Sequence, residues 1–355
     1  MPAKKNGRNR QNGKAGEGRA RRSGPTPSVV AAPSTLWQNA VPFPTLELRS
    51  PLSGPAPAPT EEMLFDLKEA AGSRPFASLA EVNRELDRLV SAGPIPRSDP
   101  VDPRARAQRL AYDAWNQEGK GGALLAHKAL ALDSDAADAY LYLAAHPPDP
   151  EQVLELAVQA VEAGKRFLAK EKERDVLPED GELWSYLPCR PYLRARAFLA
   201  KYAWNAGGRL TAVGLAEESL AFDKGDALGL RYLLLGWYLD MGEEVMSRQL
   251  LDRHKGERST FYLYGDALLT YWERGEDRTA KARLARALKA NPLVAERLLF
   301  DPPDSLEVLA IPSYSPGSTE EADLCAYLLG PAWDRDLEAL DWLMEASGIE
   351  LPAEE

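Results

Sequence analysis

Residues 190–208 read RPYLRARAFLAKYAWNAGG, and they interleave Arg190, Arg194, Arg196 and Lys201 with Tyr192, Phe198, Tyr202 and Trp204. Cations hold phosphates and flat rings stack on bases, so this set has the chemistry of a nucleic-acid or phosphate contact. The spacing also fits one helix of something larger. Arg190, Arg194, Lys201 and Asn205 stand 4, 7 and 4 positions apart, which places them on a single stripe of a helix. Which reading holds depends on the elements around the stretch.

Other chemistry is sparse. There is no G-x-x-x-x-G-K-[ST] phosphate loop, no G-x-G-x-x-G after a strand-like segment and no G-x-S-x-G. His127, His146 and His254 are scattered without ligand spacing, and Cys189 and Cys325 lie 136 positions apart, so neither a zinc site nor a disulfide framework is expected. Both cysteines read as buried thiols. Acidic pairs such as Glu61-Glu62, Glu217-Glu218, Glu243-Glu244 and Glu320-Glu321 sit at helix starts or on solvated faces, where the helix dipole accounts for them.

The charge is uneven along the 355 residues. The total is −11, but residues 1–22 hold eight bases against Glu17 alone, a charge of +7, and residues 301–355 hold fourteen acids against Arg335 alone, a charge of −13. No run of about 18 apolar residues is present, and the Val29–Ala32 patch is too short for a signal-peptide core, so the expectation is a cytoplasmic protein without a membrane span.

The elements follow from periodicity and punctuation. Residues 1–59, rich in Gly, Pro, Ser and Asn, read as a disordered basic tail and Pro-rich linker. Within it LWQNAVPFPTLEL (36–48) has the apolar content to dock as an arm or serve as a recognition segment. An N-terminal helical pair is expected over 60–98, with Thr60 capping TEEMLFDLKEAAG and a second helix over 78–93.

A repeat then emerges. ALLAHKALALDSD (123–135) and KARLARALKANP (281–292) end in one cadence that aligns Ala129 with Ala287, Leu130 with Leu288 and Asp133 with Asn291. AVGLAEESLAFDKGD (212–226) is a third copy, with Ser219, Leu220 and Asp223 in those places. Gly207, Gly242 and Gly275 mark turns 35 and 33 residues apart, near the 34-residue period of the tetratricopeptide repeat, which these residues resemble over about 103–300. Three departures stand out: a Pro-rich turn within 139–164, an insert at about 165–189, and Arg196 where the repeat prefers a large apolar residue. Residues 301–355 read as an acidic C-terminal helical cap.

The order of elements carries a further likeness. AYDAWNQ, HKALALDSDAADAYLYLA, VEAGKR, an acidic insert ending in LW, RPYLRARAFLA, DALGLRYLLL, KANPLVAERLL and the late AYLLGPAWDRDLEALDWL resemble, over about 108–345, bacterial tetratricopeptide proteins related to the suppression of tumorigenicity seven family. The likeness implies an all-α fold and a non-enzymatic repeat protein without assigned catalytic residues. Animal members carry membrane segments, so membrane placement is not carried over.

The expectation is therefore an α-solenoid of tetratricopeptide-like hairpins acting as a protein-interaction scaffold, with no enzymatic activity, cofactor or metal. Tyr140, Tyr142, Tyr202, Trp204, Tyr232, Trp237, Tyr238, Tyr262, Tyr264, Tyr271 and Trp272 fall in first helices, which line the concave surface of such a stack, some as packing and some as contacts. A partner peptide or helix is expected to meet Arg190, Arg194, Lys201, Trp204, Asn205, Tyr232 and Trp237. A terminal-carboxylate clamp is not expected, because Lys201 and Asn205 are followed on later helices by Gly236 and Asp240 and then Leu269 and Glu273. The alternative is an adaptor that holds nucleic acid or another polyanion through Lys4, Lys5, Arg8, Arg10, Arg19, Arg21 and Arg22, a tail that could equally fold onto the acidic C-terminal region.

Overall fold

Almost every apolar-periodic segment is a helix. The computed structural model describes residues 48–72, 97–117, 119–300, 302, 303 and 305–349, with isolated positions between 84 and 93, and all of these belong to one compact unit. The basic-tail residues Lys4, Lys5, Arg8, Arg10, Arg19, Arg21 and Arg22, the segment 36–47 and most of the helix expected at 78–93 lie outside the described residues.

Among the described residues, α1 (Pro59–Ala71) precedes five successive helical pairs: α2 (Pro103–Trp115) with α3 (Gly119–Leu132), α4 (Ala137–Ala145) with α5 (Val153–Glu173), α6 (Arg190–Asn205) with α7 (Arg209–Phe222), α8 (Leu230–Met241) with α9 (Glu244–Arg253), and α10 (Thr260–Arg274) with α11 (Arg278–Ala290). Most of these helices pack chiefly on their neighbours in sequence. The turns inside the last three pairs each contain a glycine with positive φ, 83° at Gly207, 73° at Gly242 and 64° at Gly275, a conformation that disfavours a side chain. Alanines at the crossings, among them Ala126, Ala129, Ala212, Ala216, Ala280 and Ala287, are fully buried and let backbones approach. Asp277 starts α11 by accepting from the Thr279 and Ala280 amides at 2.7 and 2.8 Å.

The C-terminal region adds α12 (Leu293–Leu299), α13 (Ser305–Leu309), α14 (Thr319–Trp333) and α15 (Leu337–Ser347), and between α13 and α14 a two-residue strand, β2 (Ser313–Tyr314), pairs antiparallel with β1 (Leu48–Arg49). Instead of only closing the end of the array, α14 lies along α8, α10 and α12. Gly236 of α8 faces the Leu328 carbonyl, Gly242 faces Arg335, and the Trp272 indole of α10 donates to Asp336 at 3.0 Å, so α14 runs parallel to α8. Its start is fixed by fully buried Asn291, whose amide donates to the Ser318 carbonyl at 2.9 Å.

Two local expectations change, and one departure from the repeat finds its reason. Thr60 does not cap α1; Ala58 holds that place and Pro59 opens the helix, where a missing N–H and a fixed φ do no harm. The segment expected as an insert from 165 starts as helix, because α5 continues to Glu173 with Phe167 and Glu171 buried; two short 3-10 turns, Leu183–Ser185 and Leu187–Cys189, then lead into α6. Arg196 replaces a large apolar residue without leaving its charge unpaired: it is buried, donating to Ser219 Oγ at 2.9 Å, the Leu215 carbonyl at 3.1 Å and Glu218 at 2.6 Å. Cys189 and Cys325 are both free and buried, as expected of packed thiols.

Candidate functional site: a cleft at the ends of parallel helices

The seven residues expected to meet a partner divide into two groups. On the upper half of α6, the chain itself supplies the partner. Arg194 is 1% exposed; one guanidinium nitrogen donates to both oxygens of Glu61 on α1 at 2.7 Å, and another to both oxygens of Asp138 on α4 at 2.7 Å. Burial would lower its pKa, but the Asp138 and Glu61 carboxylates reverse this and hold the guanidinium above its ordinary range. Tyr112 of α2 adds its hydroxyl to Glu61 at 3.2 Å, and Arg190, which stacks 5.0 Å over the Trp184 ring and donates to the Trp184 carbonyl at 3.0 Å, approaches Glu61 to 3.8 Å. Arg109 of α2 binds Glu62 at 2.6 Å and also pairs with Asp66, while Phe65 meets Tyr112 edge to face at 5.4 Å. Helix α1 thus lies over α2, α4 and α6, clamped by two arginines.

Below it, the segment 50–55 continues the cover. Leu52 is buried, and the Lys201 ammonium donates to the carbonyls of Ser53 at 2.7 Å and Pro51 at 3.4 Å. Arg49 holds the same segment from outside, donating to Ser53 Oγ at 2.8 Å and to the Gly54 and Ala56 carbonyls at 3.0 Å. Burial, with the nearby Arg49 charge, pushes the Lys201 pKa down to about 7. Tyr232 is likewise taken up internally: it is buried, stacks on Phe261 at 4.8 Å and receives a bond from Arg231 at 2.7 Å.

The remaining residues come together. Trp204 stacks on Trp237 with ring centroids 4.8 Å apart and planes 12° apart, and both line a cleft of about 520 Å³ together with Phe198, Lys201, Tyr202 and Asn205 of α6. Gly236 and Asp240 of α8, Tyr327, Leu328, Gly330 and Pro331 of α14, residues Leu52–Pro55 and Pro302, Pro303 and Leu309 complete its lining. Trp204, Tyr202, Phe198 and Tyr327 are half-buried and Asn205 is exposed, so aromatic surface faces open space. The volume lies within the roughly 300–1,000 Å³ that encloses a small ligand. Four of the seven predicted residues, Lys201, Trp204, Asn205 and Trp237, line this cleft; Arg190, Arg194 and Tyr232 do not.

Sequence reasoning left out the lining from α14. Tyr327 and Pro331 stand in AYLLGPAW, and a proline inside a helix was the available signal, since Pro331 has no N–H to offer the Tyr327 carbonyl. Of the eleven first-helix aromatics, Tyr142, Tyr232, Trp237, Tyr238, Tyr262 and Tyr264 are buried, whereas Tyr140, Tyr202, Trp204, Tyr271 and Trp272 are half-buried.

A second cleft, about 680 Å³, lies between α1, α2 and α5, but its charges neutralise one another. Asp135 is bound by Arg166 at 2.6 Å and Lys170 at 2.5 Å; Glu171 is bound by Arg104 at 2.7 Å, Arg174 at 3.0 Å and the Tyr186 hydroxyl at 2.8 Å. Against the opposing effect of burial, these bonds hold both carboxyls below their usual range. Among the described residues, no helix is long and apolar enough to cross a membrane, and no group of three or more His, Cys, Asp or Glu could hold a metal. No family model matches the chain, and no curated protein matches its sequence.

Proposed function

We propose that the protein is a non-enzymatic interaction scaffold of tetratricopeptide-repeat type, which binds an extended peptide segment of a partner in the cleft between α6, α8 and α14. The observation that carries this reading is the stacked Trp204–Trp237 pair with Phe198, Tyr202 and Tyr327 around an open cleft, on a face otherwise covered by α1, the 50–55 segment and α14. Rings that are already rigid and half-desolvated gain contact area at little entropic cost, which is why aromatic residues dominate peptide-binding surfaces. The 33- and 35-residue spacing of Gly207, Gly242 and Gly275 and the five helical pairs support the repeat type.

The test is affinity for peptides selected from a random dodecamer library on the full chain. Trp204→Ala and, separately, Tyr202→Ala are expected to weaken the selected peptides by about tenfold or more with the far-UV circular dichroism unchanged. Unchanged affinity in both variants would place peptide binding outside the cleft and refute the reading.

A further inference from the structure

The cleft is lined by the ends of helices that point the same way. The last turn of α6 contributes Tyr202, Trp204 and Asn205, the last five residues of α8 contribute Trp237 and Asp240, and α14 contributes Gly330 and Pro331 from its last turn and Asp334 just beyond it. A helix C-terminus carries about half a negative charge and up to four carbonyls without intrahelical donors. Turn amides, among them those of Gly207, Gly208, Gly242, Glu243 and Asp334, bond several of these last carbonyls, but none of the three helices has a basic residue in its own last turn to balance the dipole. Pro331 withholds a further donor from Tyr327, whose residue forms part of the wall.

The two rim carboxylates differ in how they are satisfied. Asp240 is paired with Arg209 at 3.1 Å, and the same guanidinium lies 4.9 Å over the Trp204 ring; Arg335 donates to the Asp240 carbonyl. This side of the cleft therefore already holds one cation between an aromatic face and a carboxylate. Asp334, exposed on the other side, has no cation in ion-pair range among the described residues, and desolvation alone pushes its carboxyl up. Lys201 does not serve it, being committed to the Ser53 carbonyl.

We infer that the occupant of the cleft is an extended peptide bearing a Lys or Arg side chain, which enters between Asp334, the end of α14 and the aromatic rings, with apolar residues on either side. The inference rests on the peptide-binding reading and specifies its ligand. An ammonium or guanidinium there repeats the arrangement of Arg209 over Trp204, and it offsets the convergent helix ends and the unpaired carboxylate together.

The experiment uses the same random dodecamer library, displayed on phage and selected on the full chain and on Asp334→Lys, a change at an exposed position. The wild-type pool is expected to hold at least about a threefold excess of Lys and Arg over Asp and Glu relative to the unselected library. Individual basic peptides are expected to lose about tenfold in affinity on Asp334→Lys and about threefold on Asp334→Asn, with the preference weakening as salt rises. A Trp204-dependent pool without basic excess, or basic peptides indifferent to Asp334→Lys, would overturn the cation assignment while leaving the cleft as the peptide site. Selected peptides indifferent to Trp204→Ala and Tyr202→Ala would overturn both. A tenfold gain in affinity on replacing Arg19, Arg21 and Arg22 together with Gln would assign the cleft to the chain's own basic tail and overturn a partner in trans.

Discussion

At the scale of residues, the most consequential group is Arg194. Its guanidinium is fully buried between Glu61 and Asp138, and each carboxylate receives two bonds of 2.7 Å from it. A paired buried charge is a weak source of net stability, yet removing one partner strands the others, because two carboxylates then face each other out of water. Arg194→Ala is therefore expected to cost about 3–5 kcal/mol in urea-induced unfolding followed by circular dichroism. A loss below about 1 kcal/mol would mean that α1 does not seat on α6 as described. Charge reversals at Arg194 and Lys201, two of the residues expected from the sequence to meet a partner, test folding instead, since both side chains hold the N-terminal cover in place.

The stripe on α6 was legible in the sequence, but its destination was not. Spacing of 4, 7 and 4 places Arg190, Arg194, Lys201 and Asn205 on one face, and they do share a face. What covers that face depends on Glu61, 133 positions away from Arg194, and nothing in helical periodicity encodes such a pairing. Only the lower end of the stripe, with Lys201 and Asn205, reaches open space in the cleft.

At the scale of elements, helices whose apolar period is complete were readable, and their boundaries followed glycine turns and prolines. The turns at Gly207, Gly242 and Gly275 lie where the repeat period puts them, each with the positive φ that favours glycine. The seat of α14 was not readable, because its sequence shows an apolar face without saying which helices that face meets. Gly236 records the meeting: a Cβ there would stand 2.5 Å from the Leu328 carbonyl oxygen, on a backbone that cannot swing aside like a flexible side chain. Gly236→Ala is expected to destabilise the protein by about 1–3 kcal/mol and to loosen α14 locally. The two buried thiols separate local from global effects. Cys325 on α14 should react with a thiol reagent at least about tenfold faster in the variant, while Cys189 at the entrance to α6 keeps its wild-type rate. Equal acceleration of both would indicate general unfolding, and no acceleration would mean that α14 does not depend on this contact.

At the scale of the whole molecule, the first-helix face is shared out. Helix α1 and residues 50–55 cover α2, α4 and α6 as far as Lys201, α14 covers α8 and α10, and the aromatic cleft remains where the two covers fail to meet. An open binding face along the entire stripe, as the sequence suggests, is thereby narrowed to one short cleft flanked by acidic helix ends. The most direct measurement is amide hydrogen exchange of the full chain with and without a selected basic peptide. Protection is expected at residues 198–206, 234–241 and 326–334, and the exchange of 109–116 and 138–145 is expected to remain unchanged. Protection spread over those latter residues, or confined to the second helices of the pairs, would contradict the account.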